Sequence, residues 1–331
     1  MLIVECNVLP GVGEFKRAVS CLSFSRTDGG SYLVSLDETP EHRLVVWDWA
    51  RGVRQLESSC TSDTVVAAEF HPTEDGCIVT CGKGHVNFWQ IDPSYSSVSR
   101  KTGVLDPRDK PKYFTCLAFS CTGDLVTGDS NGNVMVWGRG YNAVTKAMWR
   151  VHEGPVFSVC VLKDGSLVTG GGKDGRVVMY DYNYSPTGRE AQLPSHLGAI
   201  RTISQGPGCQ LLLGTTRNSV LTGNLELSFH EVMVGHVEEV SALAARPGQA
   251  QFITAGHDRL LHLWDGLSHN LVWSSDLGEQ VWTIYFLSHG VLDIPRSFGT
   301  QKIQDQSFPY HLKTFTFLLI FSYIIYHSTI L

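Results

Sequence analysis

Short segments in which apolar and polar residues alternate recur along the chain, and turns rich in Gly, Asp and Asn separate them. Residues 116–138 read CLAFSCTGDLVTGDSNGNVMVWG: an apolar strand, a turn, the string LVTG, a second turn and an alternating strand. Residues 158–181, SVCVLKDGSLVTGGGKDGRVVMYD, follow the same plan. Because a period of two puts successive side chains on opposite faces, this pattern predicts short β-strands.

The same plan is repeated at a nearly constant spacing. Further copies lie at 67–90 and 242–265, and looser copies lie at 21–49 and 202–225. The third strand of each copy ends at a landmark position, occupied in chain order by Trp47, Trp89, Trp137, Tyr180, Gly223 and Trp264. The aromatic landmarks are 42, 48, 43 and 84 residues apart, and 84 is twice 42. A period of about 40–45 residues is typical of WD-type propeller blades.

We therefore predict an all-β protein with the fold of a WD-repeat β-propeller. Six blades are recognisable, and LGEQVWTIYF (277–286) reads as the first strand of a seventh copy. We expect residues 1–16 to be a leader strand or linker, residues 17–287 to form the propeller, and residues 288–331 to be a tail outside the repeat. On this prediction the ring is incomplete.

The predicted tail ends in an apolar run, FTFLLIFSYIIYHSTIL (315–331). Its 17 residues are at the lower limit for a membrane helix, which needs about 20 apolar residues. Polar residues such as Ser322 and His327 weaken it further. We therefore expect no membrane association, and we interpret the run as prone to aggregation.

The string GHDRLLHLWD (256–265) raises the question of a metal or acid/base site. In a WD-type blade, however, a His, a Ser or Thr, an Asp and a Trp form one hydrogen-bonded chain that stabilises the blade. The last copy supplies all four, namely His236, Thr254, Asp258 and Trp264. We therefore predict a structural tetrad here rather than a catalytic site.

Other candidate chemistry is weak. The run TGGGKDGR (169–176) lacks the hydroxyl residue that follows Lys in a phosphate-binding loop, and it leads into a strand. The cysteines and histidines do not show the paired spacing of a zinc site, and no catalytic motif occurs. We therefore predict neither an enzyme nor a cofactor or metal site.

Charge and cysteine usage narrow the functional class. The net charge of −6 argues against binding nucleic acid by bulk attraction. The nine cysteines include no C-x-x-C pair, and most lie in apolar strands, so we predict free thiols in a reducing compartment. The cytoplasm is the expected location.

One segment, RKTGVLDPRDKPK (100–112), is rich in positive charge. It lies where the spacing of the landmarks is six residues longer than 42. It is either a solvated loop or a patch for an acidic partner, because binding residues concentrate on loops held by a rigid scaffold. The candidate binding residues are Arg100, Lys101, Arg108, Lys110 and Lys112.

Several strings together resemble the echinoderm microtubule-associated protein-like family. They include HRLVVWDW (42–49), LVTGDSNGNVMVWGRG (125–140) and LLLGTTRNSVLTGNL (211–225), in that order, and the resemblance covers about residues 10–285. A fifth blade without the landmark ring is part of this resemblance.

The resemblance implies a cytoskeletal scaffold whose propellers engage tubulin and influence the organisation of microtubules. It also implies partners held through the propeller surface. Relative to the family pattern, the chain has no coiled coil and no second propeller, and the family resemblance places further blades outside residues 1–286. The alternative is a WD-repeat adaptor that presents substrates to another protein complex.

Overall fold

Four-stranded antiparallel sheets account for most of the structure. The computed structural model describes residue 15 and residues 17–224, 226–286, 292–296 and 299–303. These residues belong to two compact units, one within residues 1–237 and the other within residues 238–331. The only helical segment in the described part of the chain is a 3-10 turn at Ser195–Leu197.

The first unit contains five sheets, and in each the four strands are hydrogen-bonded in chain order. The first sheet comprises β1 (Val19–Phe24), β2 (Tyr32–Asp37), β3 (Arg43–Asp48) and β4 (Val53–Ser59). The second sheet comprises β5 (Val65–Phe70), β6 (Cys77–Gly82), β7 (His85–Ile91) and β8 (Val98–Thr102). The third sheet comprises β9 (Phe114–Phe119), β10 (Leu125–Asp129), β11 (Val134–Trp137) and β12 (Val144–Met148).

The fourth and fifth sheets repeat this order. The fourth sheet comprises β13 (Val156–Val161), β14 (Leu167–Gly171), β15 (Arg176–Tyr180) and β16 (Pro186–Gln192). The fifth sheet comprises β17 (Ile200–Gln205), β18 (Leu211–Thr215), β19 (Ser219–Gly223) and β20 (Phe229–Val234).

Burial differs systematically between the strands of a sheet. Every residue of the second strands β6, β10 and β14 is buried, whereas the fourth strand β16 is almost entirely exposed. A strand covered on both faces needs mostly small or apolar residues, which explains the nearly continuous runs CIVTCG, LVTGD and LVTGG. The buried threonines of these runs therefore need hydrogen-bond partners.

Neighbouring sheets of the first unit pack through their first strands, in the order β1, β5, β9, β13 and β17. The backbone N–H of Ile203 in β17 donates to the Ser158 hydroxyl of β13 over 2.9 Å. The approach is close, because a Cβ on Gly170 would lie 2.6 Å from a methyl carbon of Ile200. Apolar side chains fill the space between successive sheets, as in the cluster around Val168, Ile200 and Leu213.

Successive four-stranded sheets packed in this way are the blades of a propeller. The predicted all-β fold of the WD-repeat type is therefore confirmed.

The second unit contains a sixth four-stranded sheet and a three-stranded sheet. The sixth sheet comprises β21 (Val240–Ala245), β22 (Gln251–Gly256), β23 (Leu260–Asp265) and β24 (Leu271–Asp276). The three-stranded sheet comprises β25 (Tyr285–Phe286), β26 (Leu292–Arg296) and β27 (Gly299–Ile303). Ile253 and Leu261 of the sixth sheet share a buried cluster with Val281 and Ile284.

The strands β26 and β27 lie within residues 288–331, where we expected a tail outside the repeat. Pairing with β25 extends the seventh copy beyond Phe286. The domain limits themselves stay a prediction. Residues 1–14 of the predicted leader and the apolar run 315–331 lie outside the described residues. Within the described part, no helix is long and apolar enough to cross a membrane.

Candidate functional site

Indole groups, buried in the first three sheets and half-buried in the sixth, are hydrogen-bonded to hydroxyl groups of the second strand. The donors are the landmark tryptophans, and the bonds are Trp47 to Ser35 (2.8 Å), Trp89 to Thr80 (3.0 Å), Trp137 to Thr127 (3.0 Å) and Trp264 to Thr254 (2.8 Å). Each bond joins the second and third strands of one sheet. A buried polar group without such a partner costs about 1–3 kcal/mol, so these bonds stabilise the blades.

The predicted tetrad of the last copy is divided between the two units. Thr254, Asp258 and Trp264 lie in the second unit, where Trp264 donates to Thr254 and a carboxylate oxygen of Asp258 accepts from the Leu260 N–H over 3.1 Å. His236 lies in the first unit, where it is buried and its carbonyl accepts from the Asn218 side chain. The tetrad as a whole stays a prediction.

The two histidines of GHDRLLHLWD have different surroundings. His262 is fully buried, and its ring meets the Trp264 ring edge-on, with centroids 5.6 Å apart. His257 lies against the Trp282 ring, with centroids 4.5 Å apart, and its Nδ1 is 3.7 Å from Glu239. Both rings pack against aromatic side chains. Among the described residues, no three His, Cys, Asp or Glu side chains are grouped so that they could hold a metal ion.

The fourth sheet contains a hydrogen-bonded chain that our sequence reasoning missed. His152 lies 3.2 Å from an Asp174 carboxylate oxygen through Nδ1 and 2.9 Å from the Thr169 hydroxyl through Nε2. Because a carboxylate only accepts, Nδ1 carries the proton, and Nε2 then accepts from Thr169. The landmark residue here is Tyr180, which has no indole N–H, so Thr169 accepts no indole bond of the kind seen in four other sheets.

The sequence contained a signal for this hydrogen-bonded arrangement of His152, Asp174 and Thr169. His152 precedes Asp174 by 22 residues, the same interval that separates His236 from Asp258. Burial lowers the pKa of His152 below its ordinary value, while the Asp174 carboxylate acts in the opposite direction. The histidine is therefore held neutral, as a structural group.

In the first sheet, the buried carboxylate of Asp37 accepts hydrogen bonds from the following turn, whereas the Asp174 carboxylate of the fourth sheet accepts from a histidine ring. Asp37 accepts hydrogen bonds from the Thr39 hydroxyl (2.6 Å) and from the Arg43 N–H (2.9 Å). Burial alone would raise the pKa of Asp37, but these hydrogen bonds lower it below its ordinary value. Asp37 is thus stabilised as an anion inside the first unit.

The buried thiols are not poised for chemistry. All eight cysteines of the described residues are free, and Cys21, Cys60, Cys77 and Cys81 are buried. Burial raises the pKa of Cys60 to about 11 and that of Cys77 to about 12. Because the thiolate is the reactive form, such groups are inert near neutral pH.

The five residues of the predicted basic patch have different surroundings. Arg100 donates to the carbonyl of Cys60 and lies over the Trp89 ring, 5.4 Å from its centroid. Arg108 is paired with Asp106 through two bonds, of 3.1 and 2.8 Å. These two guanidinium groups therefore have partners within the chain.

The three lysines of the patch make fewer contacts. Lys110 lies beside Gly84, and Lys112 lies over the Tyr113 ring, 5.8 Å from its centroid. Lys101 lines a separate cavity between the second and third sheets. The structure thus leaves Lys110 and Lys112 as the exposed lysines of the loop between β8 and β9.

With the blades and the loop in place, comparison with known proteins gives the family. A family model for the first β-propeller of echinoderm microtubule-associated protein matches residues 3–223, which is more than half of the chain. This chain belongs to the echinoderm microtubule-associated protein-like family. A second model, for the WD domain G-beta repeat, matches residues 228–265 in the sixth sheet.

The chain is similar to several members of the echinoderm microtubule-associated protein-like family. It is 44% identical over 269 residues to the like-2 protein of Mus musculus, covering 81% of this chain and 41% of that protein. It is 44% identical over 263 residues to the like-1 protein of Rattus norvegicus, covering 80% and 32%. It is 42% identical over 289 residues to the like-3 protein of Homo sapiens, covering 81% and 32%. The chain thus spans 32–41% of the length of these relatives.

Proposed function

We propose that this chain is a non-catalytic cytoskeletal scaffold that binds tubulin or microtubules and influences their organisation. The observation that carries the proposal is the match to relatives named microtubule-associated protein-like, at 42–44% identity over four fifths of the chain. The chain would act in the cytoplasm, on the cytoskeleton. The relatives are longer than this chain, and the proposal covers binding by a protein of their full length as well.

The loop between β8 and β9 supports a role in partner binding. Lys110 and Lys112 are exposed, and the loop is held at both ends by strands of two rigid sheets. The chain as a whole carries a net charge of −6, so attraction to an acidic partner has to be local. We therefore assign these two lysines a contribution to tubulin binding.

The non-catalytic part of the proposal is supported by how the reactive groups are used. His152 and Asp174 are hydrogen-bonded to each other in the fourth sheet, and burial raises the pKa of the Cys77 thiol to about 12. Groups of this kind hold blades together and are not available to a substrate.

Co-pelleting of the full chain with taxol-stabilised microtubules tests the proposal. We expect the pelleted fraction to rise with microtubule concentration to saturation, and to fall as salt is added. Size-exclusion chromatography with soluble tubulin dimers would show whether the chain binds tubulin outside the lattice. A chain that neither pellets nor co-elutes with tubulin would contradict the proposal and favour the alternative of a WD-repeat adaptor.

A further inference from the structure

A cavity of about 210 Å³ lies between the second and third sheets of the first unit. The side chains that matter for its chemistry are Phe88, Lys101, Phe119, Trp137, Arg139 and Tyr141. Sites for cofactors and drug-sized molecules usually enclose about 300–1,000 Å³. This cavity is smaller, so it suits a single side chain of a partner rather than a cofactor.

Hydrogen bonds between the two sheets hold the walls of the cavity in place. The Asn142 side chain donates to the carbonyl of Thr102 over 2.8 Å, and the Val104 N–H donates to the carbonyl of Asn142 over 2.6 Å. His71 Nε2 donates to the carbonyl of Gly123 over 2.9 Å. A cavity whose walls are fixed in advance loses little entropy when a ligand binds.

Aromatic rings supply the apolar part of the lining. The Phe88 and Trp137 rings meet edge-on with centroids 6.0 Å apart, and Trp137 is fully buried with its indole N–H already bonded to Thr127. Tyr141, by contrast, is 70% exposed. A large exposed aromatic beside a cavity that combines aromatic and polar side chains is typical of a surface that binds another protein.

The charged groups of the lining leave one positive charge in excess. Glu74 is paired with Arg139, whose Nε lies 3.0 Å from the carboxylate. His71 adds no charge, because its Nδ1 accepts from the Glu74 N–H over 3.0 Å. Lys101 makes no ion pair with any described residue, and it is exposed. The cavity therefore complements a carboxylate.

The register of the second sheet explains why Lys101 faces this cavity. Lys101 pairs with Phe88 across β7 and β8, whereas Arg100 pairs with Trp89 and lies over its ring. Successive residues of a strand point to opposite faces. Arg100 and Lys101 are adjacent in the sequence, but Arg100 packs on Trp89 and Lys101 lines the cavity.

We propose that this cavity binds a short segment of a partner protein in which an apolar side chain lies next to a carboxylate. The apolar side chain enters beside Phe88 and Tyr141, and the carboxylate pairs with Lys101. The assignment does not rest on tubulin binding, because it uses a different lysine and a different surface from the loop of Lys110 and Lys112.

Fluorescence anisotropy with the full chain tests the apolar requirement. The probes are fluorescein-labelled, amidated pentapeptides of sequence Gly-Asp-X-Asp-Gly, with X being Leu, Phe or Ala. We expect saturable binding in which the Leu and Phe peptides bind about tenfold more tightly than the Ala peptide, since 1.4 kcal/mol of apolar burial corresponds to that ratio. Equal binding of all three peptides would mean attraction by charge alone and would overturn the proposal.

Two variants test the position of the site. Lys101→Glu reverses the cation and should weaken the Leu peptide about tenfold or more. Ser99→Trp places a large ring at the lining and should block the site without changing its charge. The matched control is Lys163→Glu, which makes the same change in net charge at an exposed lysine outside the cavity. Each variant is first checked for an unchanged melting temperature. Loss in both cavity variants but not in the control supports the site, and equal binding by Lys101→Glu and Lys163→Glu overturns it.

Discussion

The ring of Phe229 occupies the space that a side chain at Gly223 would need. A Cβ built on Gly223 would overlap the Phe229 ring and would lie 2.7 Å from the carbonyl oxygen of Ser228. Gly223 is the landmark position of the fifth sheet, where four other sheets have tryptophan. The neighbouring strand β20 thus supplies the ring that β19 lacks, because Gly223 and Phe229 are register partners.

This relationship makes Gly223→Ala destabilising. We expect the free energy of unfolding to fall by about 1–3 kcal/mol, because the added methyl group forces the ring or the backbone to move. Urea unfolding followed by tryptophan fluorescence measures the change. In a Phe229→Ala background the same substitution should cost less, since the ring is gone, and a cost that is equal in both backgrounds would contradict the explanation.

The hydrogen-bonded chain of the fourth sheet is expected to stabilise the first unit. His152→Asn removes the bonds from the buried His152 to the half-buried Asp174 and to the buried Thr169. We expect a loss of about 1–3 kcal/mol in the free energy of unfolding near neutral pH. Differential scanning calorimetry and urea unfolding both measure it. An unchanged free energy of unfolding would show that the hydrogen bonds of His152 to Asp174 and Thr169 do not stabilise the fold.

The same histidine predicts a pH dependence with a definite sign. Burial lowers the pKa of His152 in the folded chain, so the unfolded chain, with a pKa of about 6.5, binds the proton more readily. The contribution of His152 to stability is therefore fully present above about pH 6.5 and decreases as the pH falls below it.

The difference in stability between the wild type and His152→Asn isolates this effect. That difference in stability should become smaller as the pH falls from about 7.5 to about 5. Other titrating groups, such as His85 with its lowered pKa, contribute equally to both chains and therefore cancel. A difference that is constant over this range would contradict the assignment.

Asp258 provides a test of the tetrad against a metal or catalytic site. Asp258→Ala removes the acceptor of the Leu260 N–H, and we expect the free energy of unfolding to fall by about 1–3 kcal/mol. Thermal unfolding with and without added zinc checks both alternatives. Unchanged stability together with the loss of a zinc-dependent shift would restore the interpretation as a metal site.

Reversing the charge of Lys110 and Lys112 tests the loop between β8 and β9. The double variant Lys110→Glu, Lys112→Glu should pellet less with microtubules, and its residual binding should depend less on salt. The control is Lys146→Glu, Lys163→Glu, which changes the net charge equally at two exposed lysines outside that loop. If both double variants bind alike, the loop has no specific part in binding.

The repeat and the fold could be predicted because they depend on local alternation. The apolar strands and the landmark tryptophans lie within single copies, so the sequence of each copy contains the information for its own sheet. The same holds for the interval between His152 and Asp174, which could have been found from the sequence by comparison with the last copy.

What could not be predicted depends on pairing between strands. Arg100 and Lys101 are neighbours in the sequence, yet the register of β7 and β8 puts one over Trp89 and the other in the cavity. Likewise, the ring of Phe229 is six residues from Gly223 in the chain, and only the turn between β19 and β20 brings them together. Residues that form one linear cluster of charge in the sequence therefore have different surroundings in the structure.

Each indole–hydroxyl bond described above lies inside one sheet, between its second and third strands. Polar contacts between adjacent sheets of the first unit join first strands, as in the bond from the Ile203 N–H to the Ser158 hydroxyl, and also outer strands and loops, as in the bond from the Asn142 side chain to the Thr102 carbonyl. A force that pulls on the two ends of the first unit would therefore act on a series of sheets, each held together by its own hydrogen bonds. Under tension we expect the first unit to extend in discrete steps, one sheet at a time.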